Sequence, residues 1–134
     1  MSDASGPDEC LRGGCLCRNI RWQGLGPMRA VVACHCVQCR KTSGHFSAYS
    51  SLDHDKIIIE GDVTWYQSSQ AARRGFCATC GSVVFWQPEG KARVSVAAGS
   101  IDGTSGLGIA RHIFCASKGD YYQIADGEPQ YAEV

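Results

Sequence analysis

Residues 73–86 read Arg73-Arg74-Gly75-Phe76-Cys77-Ala78-Thr79-Cys80-Gly81-Ser82-Val83-Val84-Phe85-Trp86. Two short runs suited to β-strands, 73–77 and 82–86, are joined by a turn that carries a pair of cysteines. Gly81 admits a positive φ, so the chain can fold back and aim amide N–H groups at both sulfurs. Those donors stabilise the thiolate form, as does a nearby cation. A turn of this kind is expected to hold a metal ion between short strands.

The same pairing of thiols with glycine recurs. Cys15-Leu16-Cys17 follows Gly13-Gly14, and Cys34-His35-Cys36-Val37-Gln38-Cys39 runs on through Arg40-Lys41-Thr42-Ser43 to Gly44. Cys10 and Cys115 stand apart: Cys10 is expected as an exposed spare thiol, and Cys115 either as a fourth ligand or as a buried thiol. Disulfides fit this pattern poorly. The count of 9 Cys is odd, and residues two apart on an extended strand cannot meet bridge geometry without strain. The opening MSDASGPDECLR has no apolar core of an export signal, which predicts a reducing, cytoplasmic setting where structural disulfides are rare. Zn²⁺ suits soft thiolates, and no iron–sulfur spacing is present. Two closed zinc sites need about eight ligands, whereas the three clusters supply seven. Either one further residue completes the second site or that site keeps a vacancy, as zinc chemistry requires.

Working outward, the chain of 134 residues is expected to form one domain over 13–134 behind a flexible polar tail over 1–12. Hydrophobic residues make up 44%, enough for a core. Lys+Arg and Asp+Glu are equal at 13 each, so there is no excess charge to drive binding to nucleic acid. No apolar run reaches the ~18–20 residues of a membrane span. Further strands are expected at 19–23, 29–34, 46–51, 93–98 and 109–114, with Ile20 and Trp22 on one face. Residues 56–60 and 63–67 flank Gly61-Asp62 and are expected to form a hairpin. After the second cluster a single helical turn should stop at Gly44. Turn signals recur every eight to twelve residues and no long amphipathic helix intervenes, so the fold class is all-β.

GGCLCRNIRW, ACHCVQCRKTSG, RRGFCATCGSVVFW and RHIFCASKGDYYQIADGEPQY, in this order, resemble the glutathione-dependent formaldehyde-activating enzyme family, also called the centromere-protein-V family. The likeness runs over about residues 12–131. It implies an Mss4-like fold of small coiled antiparallel sheets held by two Zn²⁺ ions. By position it implies that Cys15, Cys17, Cys77 and Cys80 hold a structural zinc, and that Cys34, Cys36 and Cys39 hold a second zinc with an open coordination position. The implied activity is that of a carbon–sulfur lyase acting on a thiol–aldehyde adduct such as S-hydroxymethylglutathione, formed from glutathione and formaldehyde. Where the family often carries Pro-Trp-Tyr after Ser-Lys, this chain has Gly119-Asp120-Tyr121-Tyr122 after Ser117-Lys118.

An acid–base group is needed for the carbonyl oxygen, and histidine is the commonest choice near neutral pH. His45 is the candidate, since it follows Cys39 closely enough to return towards it. His35, between two ligands, should point away from them, and His112 lies on a late strand. Arg40 and Lys41 are the expected binders of substrate carboxylates, with Arg73-Arg74 offering the same chemistry beside another cluster; solvated surface charge is the competing reading. Phe46, Tyr49, Trp65, Phe85 and Trp86 occur at strand spacing, which favours core packing over a pocket. The expected partner is a small-molecule thiol or its aldehyde adduct. A non-catalytic zinc module that binds a protein stands as the alternative, and it would have both zinc sites closed.

Overall fold

The structure, a computed structural model, describes residues 4–134. Ten strands and one short helix follow one another as β1 (Cys10–Gly14), β2 (Arg21–Leu25), β3 (Val31–Cys34), α1 (Val37–Ser43), β4 (Ser47–Asp53), β5 (Ile57–Glu60), β6 (Thr64–Tyr66), β7 (Ala72–Phe76), β8 (Val83–Pro88), β9 (Arg93–Ala97) and β10 (Ile109–Ile113). They form a three-stranded sheet in the order β1-β2-β5 and a seven-stranded sheet in the order β10-β3-β4-β9-β8-β7-β6. The all-β expectation holds, with one departure from antiparallel pairing: β10 lies parallel to β3. A long connection through 98–108 lets β10 return to that edge in the same direction.

The core fills the space between the sheets. Ile20 and Trp22 lie against Leu52, Val84, Phe85, Val94 and Val96. Trp22 is buried, and its indole N–H donates to Ser100 Oγ at 3.2 Å. That contact satisfies the one polar atom of the ring while its apolar surface leaves water.

The expected hairpin around Gly61-Asp62 is not formed. β5 pairs with β2, from Gly24 opposite Ile57 to Arg21 opposite Glu60, and β6 pairs instead with β7. Gly61 adopts φ +98°, and a Cβ there would lie 1.7 Å from Asn19 O. The dipeptide therefore passes the chain from one sheet to the other under a close backbone approach that excludes a side chain. Spacing alone does not separate such a crossing from a tight turn.

The stretch expected as a tail divides into three parts. Residues 1–3 lie outside the described residues. Ser5 is buried, with its Oγ accepting from Met28 N–H at 2.6 Å and its own N–H donating to Met28 O at 3.0 Å. β1 then begins at Cys10, inside the same stretch, with Leu11 and Gly13 facing inward. Cys10 itself is exposed.

Candidate metal centres and the cavity beside them

The first thiol group joins the two sheets. Cys15 and Cys17 come from the loop after β1, in the small sheet, while Cys77 and Cys80 come from the β7–β8 turn of the large one. All four sulfurs lie within 4.8 Å of one another. The local geometry follows the sequence closely. Gly81 has φ +80°, its N–H donates to Cys77 O at 2.7 Å, and Cys80 N–H points at Cys77 Sγ at 3.5 Å. Ile20 N–H points at Cys15 Sγ at 3.1 Å, and Ser82 Oγ lies 3.2 Å from Cys80 Sγ. Ser82, by its hydroxyl and its backbone N–H, brings Cys80 down to about 5, and backbone N–H groups of Cys80 and Thr79 lower Cys77. Cys17 receives help from Asn19 N–H, yet desolvation and its thiol neighbours push it up to about 11. Without a cation the four sulfurs compete for protons; a divalent ion would hold all four as thiolates.

The second group is local. Cys34 ends β3, Cys36 is the N-cap of α1, and Cys39 lies in its first turn. Cys36 Sγ accepts from Cys39 N–H at 3.2 Å, and Gly44, at φ +79°, closes the helix by donating to Arg40 O at 3.0 Å. These three sulfurs also lie within 4.8 Å of one another. Cys39 is held down at about 5, chiefly by the Cys34 thiol and further by Ser47, Cys36 and the Arg74 guanidinium. Cys34 is driven up as the donor to Cys39 and by burial. Cys115 joins neither group among the described residues and is only half-buried, so neither the fourth-ligand nor the buried-thiol expectation holds for it.

Both donor sets fit a soft divalent cation. Four sulfurs from two sheet loops can complete a tetrahedral shell, and three on one turn leave a corner open. The difference lies in what surrounds the second set. A cavity of about 330 Å³ is bordered by Cys34, Cys36 and Cys39 together with Tyr49, Arg74 and Trp86. Tyr49 is buried as expected and also borders the cavity, Trp86 is half-buried in its wall, and Phe85 is core with Trp65 packed against it at 6.1 Å between ring centroids. Phe46 instead meets His35, His45 and Tyr122.

The expected substrate residues fall outside this wall. Arg40 and Lys41 are on α1, and neither borders the cavity. His45 is exposed, with Nδ1 2.7 Å from Tyr121 OH, and is likewise not part of the wall. Arg73 lies 3.9 Å over the Trp65 ring and donates to Gln87 Oε1. Arg74 differs from its neighbour. It is 4% exposed, its Nε and Nη2 donate to Gln38 Oε1 at 3.3 and 2.8 Å, and Nη2 lies 3.7 Å from Cys39 Sγ. The solvated-surface reading of Arg74 is overturned by its inward parity on β7, shared with Ala72.

Sequence reasoning missed a polar chain behind the second thiol group, which runs from half-buried Tyr122 through two buried histidines to an exposed carboxylate. His35, just past the end of β3, turns its ring away from the sulfurs. Its Nδ1 is bonded to Tyr122 OH, and its Nε2 lies 2.9 Å from His112 Nδ1. His112 Nε2 in turn lies 2.7 Å from Asp126 Oδ2. The carboxylate can only accept, so the donors run in one direction, from Tyr122 through His35 and His112 to Asp126. Burial, with His112, His45 and Lys118 nearby, lowers His35 to about 4, in keeping with a neutral His35 ring. This chain fastens the segment 118–130 to the loop bearing Cys34 and Cys36. No local motif announces it, because its members are dispersed from residue 35 to residue 126.

Asp126 is held below the usual carboxylate range, first by the Glu128 N–H and then by His112. A depressed folded value means that the contribution is present above the unfolded value of about 3.9 and is lost as pH falls through the folded one. Acidification below about pH 4 should therefore lower the protection from hydrogen exchange, measured against the intrinsic rate at each pH, of the amides of His112, Phe114 and Cys115, which donate to the carbonyls of Pro129, Glu133 and Tyr131. In Asp126→Asn the same amides should already exchange faster at neutral pH and show no further acid step.

Two β-sheets joined by a four-thiol knot, with a three-thiol site opening on a cavity, define a small β-protein able to hold metal ions at two places. The chain belongs to the family described as glutathione-dependent formaldehyde-activating enzyme, whose profile matches residues 10–117. An uncharacterized lyase of Schizosaccharomyces pombe is 28% identical over 116 residues, covering 85% of each chain. The crystal structure of a Rhodobacter sphaeroides protein resembles the fold with a TM-score of 0.55 at 24% identity, over 70% of this chain and 90% of that one. No helix among the described residues is long and apolar enough to cross a membrane.

Proposed function

We propose that the protein is a zinc-dependent carbon–sulfur lyase acting on thiol–aldehyde adducts of the S-hydroxymethylglutathione kind. The observation that carries this reading is the cavity bordered by Cys34, Cys36 and Cys39, a donor set one short of closed zinc coordination. Zinc bound there supplies a Lewis-acidic position that favours the thiolate form of a substrate sulfur. In cleavage the carbon–sulfur bond breaks with its electron pair left on sulfur, and the hydroxyl proton departs as the carbonyl forms; addition is the reverse. The other zinc, held by Cys15, Cys17, Cys77 and Cys80, is structural.

The chain's own groups divide the remaining work. Arg74 sets a positive charge beside Cys39, and Tyr49 and Trp86 limit the access of water to the reacting sulfur. Arg40 and Lys41 are proposed to attract anionic substrates at longer range from α1. His45 is proposed to exchange the hydroxyl proton with solvent from beyond the cavity wall. His45→Ala should slow turnover by less than about tenfold, at the low end of general acid–base effects, because water can replace a group at that distance; a loss as large as that from removing a thiol would place His45 at the reacting atoms.

Exchange spectroscopy by NMR on formaldehyde mixed with glutathione, and separately with simple thiols, tests the proposal. Zinc-loaded protein should accelerate adduct exchange by at least about a hundredfold, the scale of positioned polar catalysis. No acceleration with any thiol would sink it and leave the non-catalytic alternative. The S. pombe relative's description as a lyase supports the enzymatic reading.

A further inference from the structure

The guanidinium of Arg74 is more than its neighbours need. It is 4% exposed, it forms no ion pair with a carboxylate among the described residues, and its Nη1 has no hydrogen-bond partner. Buried charges are ordinarily paired, and a buried donor without an acceptor carries its full desolvation cost. Gln38 Oε1 satisfies Nε and Nη2, and the Cys39 sulfur, held towards its thiolate form, lies 3.7 Å from Nη2, so the deficit that remains is at Nη1. Arg74 borders the cavity, as do Arg29 and Arg111, and no Asp or Glu side chain does. The rest of that wall is largely apolar and aromatic, supplied by residues such as Tyr49, Trp86 and Phe114. An apolar hollow with a buried, under-satisfied cation calls for a ligand with at least one anionic group beside an apolar body.

We propose that Arg74 seats a carboxylate of the substrate, and that the preferred thiol is a compact mercaptocarboxylate rather than a tripeptide. The inference rests on the lyase reading for its thiol, while the carboxylate site stands on Arg74 alone. Arg74 Nη2 is 3.7 Å from Cys39 Sγ, so the cation and the three thiols share one end of the cavity. A ligand that engages both carries its carboxylate close to its sulfur. Glutathione places both carboxylates many bonds from its sulfur, and folding one of them back to Arg74 would cost conformational freedom. Arg is suited to this task because it stays charged when buried and offers paired N–H donors in one plane.

The test uses the zinc-loaded full chain and two sulfur-free probes, 3-phenylpropionate and 3-phenylpropanol, followed by tryptophan fluorescence, for which Trp86 in the wall is the reporter. A charge-assisted hydrogen bond at a buried site predicts that the carboxylate binds at least about tenfold more tightly than the alcohol. Arg74→Gln should bring that ratio close to one, and Arg74→Lys should restore part of it. In wild-type protein carrying ¹⁵N-arginine, the guanidinium signals of Arg74 should move on adding 3-phenylpropionate and not on adding the alcohol, a readout independent of whether the glutamine variant folds. Equal binding of the two probes overturns the carboxylate site, as does a ratio retained in folded Arg74→Gln. A static Arg74 guanidinium signal in the presence of bound carboxylate does so too. In the exchange assay, 3-mercaptopropionate should be processed faster than glutathione, and the opposite order overturns the preference for a compact thiol. Probe binding without any exchange catalysis would sink the lyase reading and leave the carboxylate site standing; catalysis with equal probe binding does the reverse.

Discussion

Cys80→Ser is expected to unfold the protein and to abolish binding at the four-thiol group. That group is the covalent neighbour of both sheets: Cys15 and Cys17 belong to the loop between β1 and β2, and Cys77 and Cys80 to the turn between β7 and β8. A structural zinc contributes on the order of 10–16 kcal/mol in small domains at neutral pH, whereas the net stability of a domain is about 5–15 kcal/mol. Serine removes a soft ligand from this knot and leaves three thiols in a wall designed for four. The surface pair between Arg18 and Asp102, at 2.9 Å and about half exposed, also ties the first loop down. Such a pair is worth at most about 1 kcal/mol and cannot compensate. Circular dichroism together with metal analysis checks this outcome. A folded Cys80→Ser protein with full metal content would show that the knot is not what joins the sheets.

Cys36→Ser is expected to behave in the opposite way, losing one metal equivalent and all lyase activity while keeping its fold. Its three-thiol group spans only residues 34–39, so the metal it holds constrains the end of β3 and a seven-residue helix. That helix has other anchors, including the C-cap at Gly44 and the Gln38 side chain, whose Nε2 donates to Ser68 O at 2.9 Å. Behind the loop, the Tyr122–His35–His112–Asp126 chain holds the backbone whether or not a cation is present in front of it. Serine at Cys36 keeps an oxygen that can cap Cys39 N–H, so the helix start survives. Metal content should fall from two per chain to one, and exchange of the adduct should fall to the uncatalysed rate. Loss of fold in both cysteine variants would mean that the two sites are equally structural, against the assignment of chemistry to the second.

The cysteine clusters were legible because metal ligation by short turns is local: the ligand spacing, the Gly81 turn and the Gly44 cap all lie within a few residues of the thiols. The strands on either side of Cys77-Cys80 were legible for the same reason. What the sequence concealed is set by pairing at long range. Gly61-Asp62 has the composition of a hairpin turn, yet β5 finds a better partner in β2, and only the close approach to Asn19 O reveals why glycine is needed. β10 docks parallel to β3 across some 75 residues of chain, a choice no periodicity encodes. Arg74 looked like half of a basic surface pair; its burial depends on the parity of β7 against a neighbouring helix that supplies Gln38. The position of the acid–base candidate is likewise set by a contact distant in sequence. Proximity of His45 to Cys39 along the chain does not bring it to the cavity, because Gly44 turns the backbone away towards Tyr121.

The most direct test is ¹¹³Cd NMR on protein with both sites filled by cadmium, before and after addition of a small thiol. Two resonances of unequal shift are predicted, one from four sulfur ligands and one from three sulfurs with a lighter donor, and only the second should move when thiol is added. A pair of four-sulfur resonances unmoved by thiol, or a single resonance in fully loaded protein, would contradict the account.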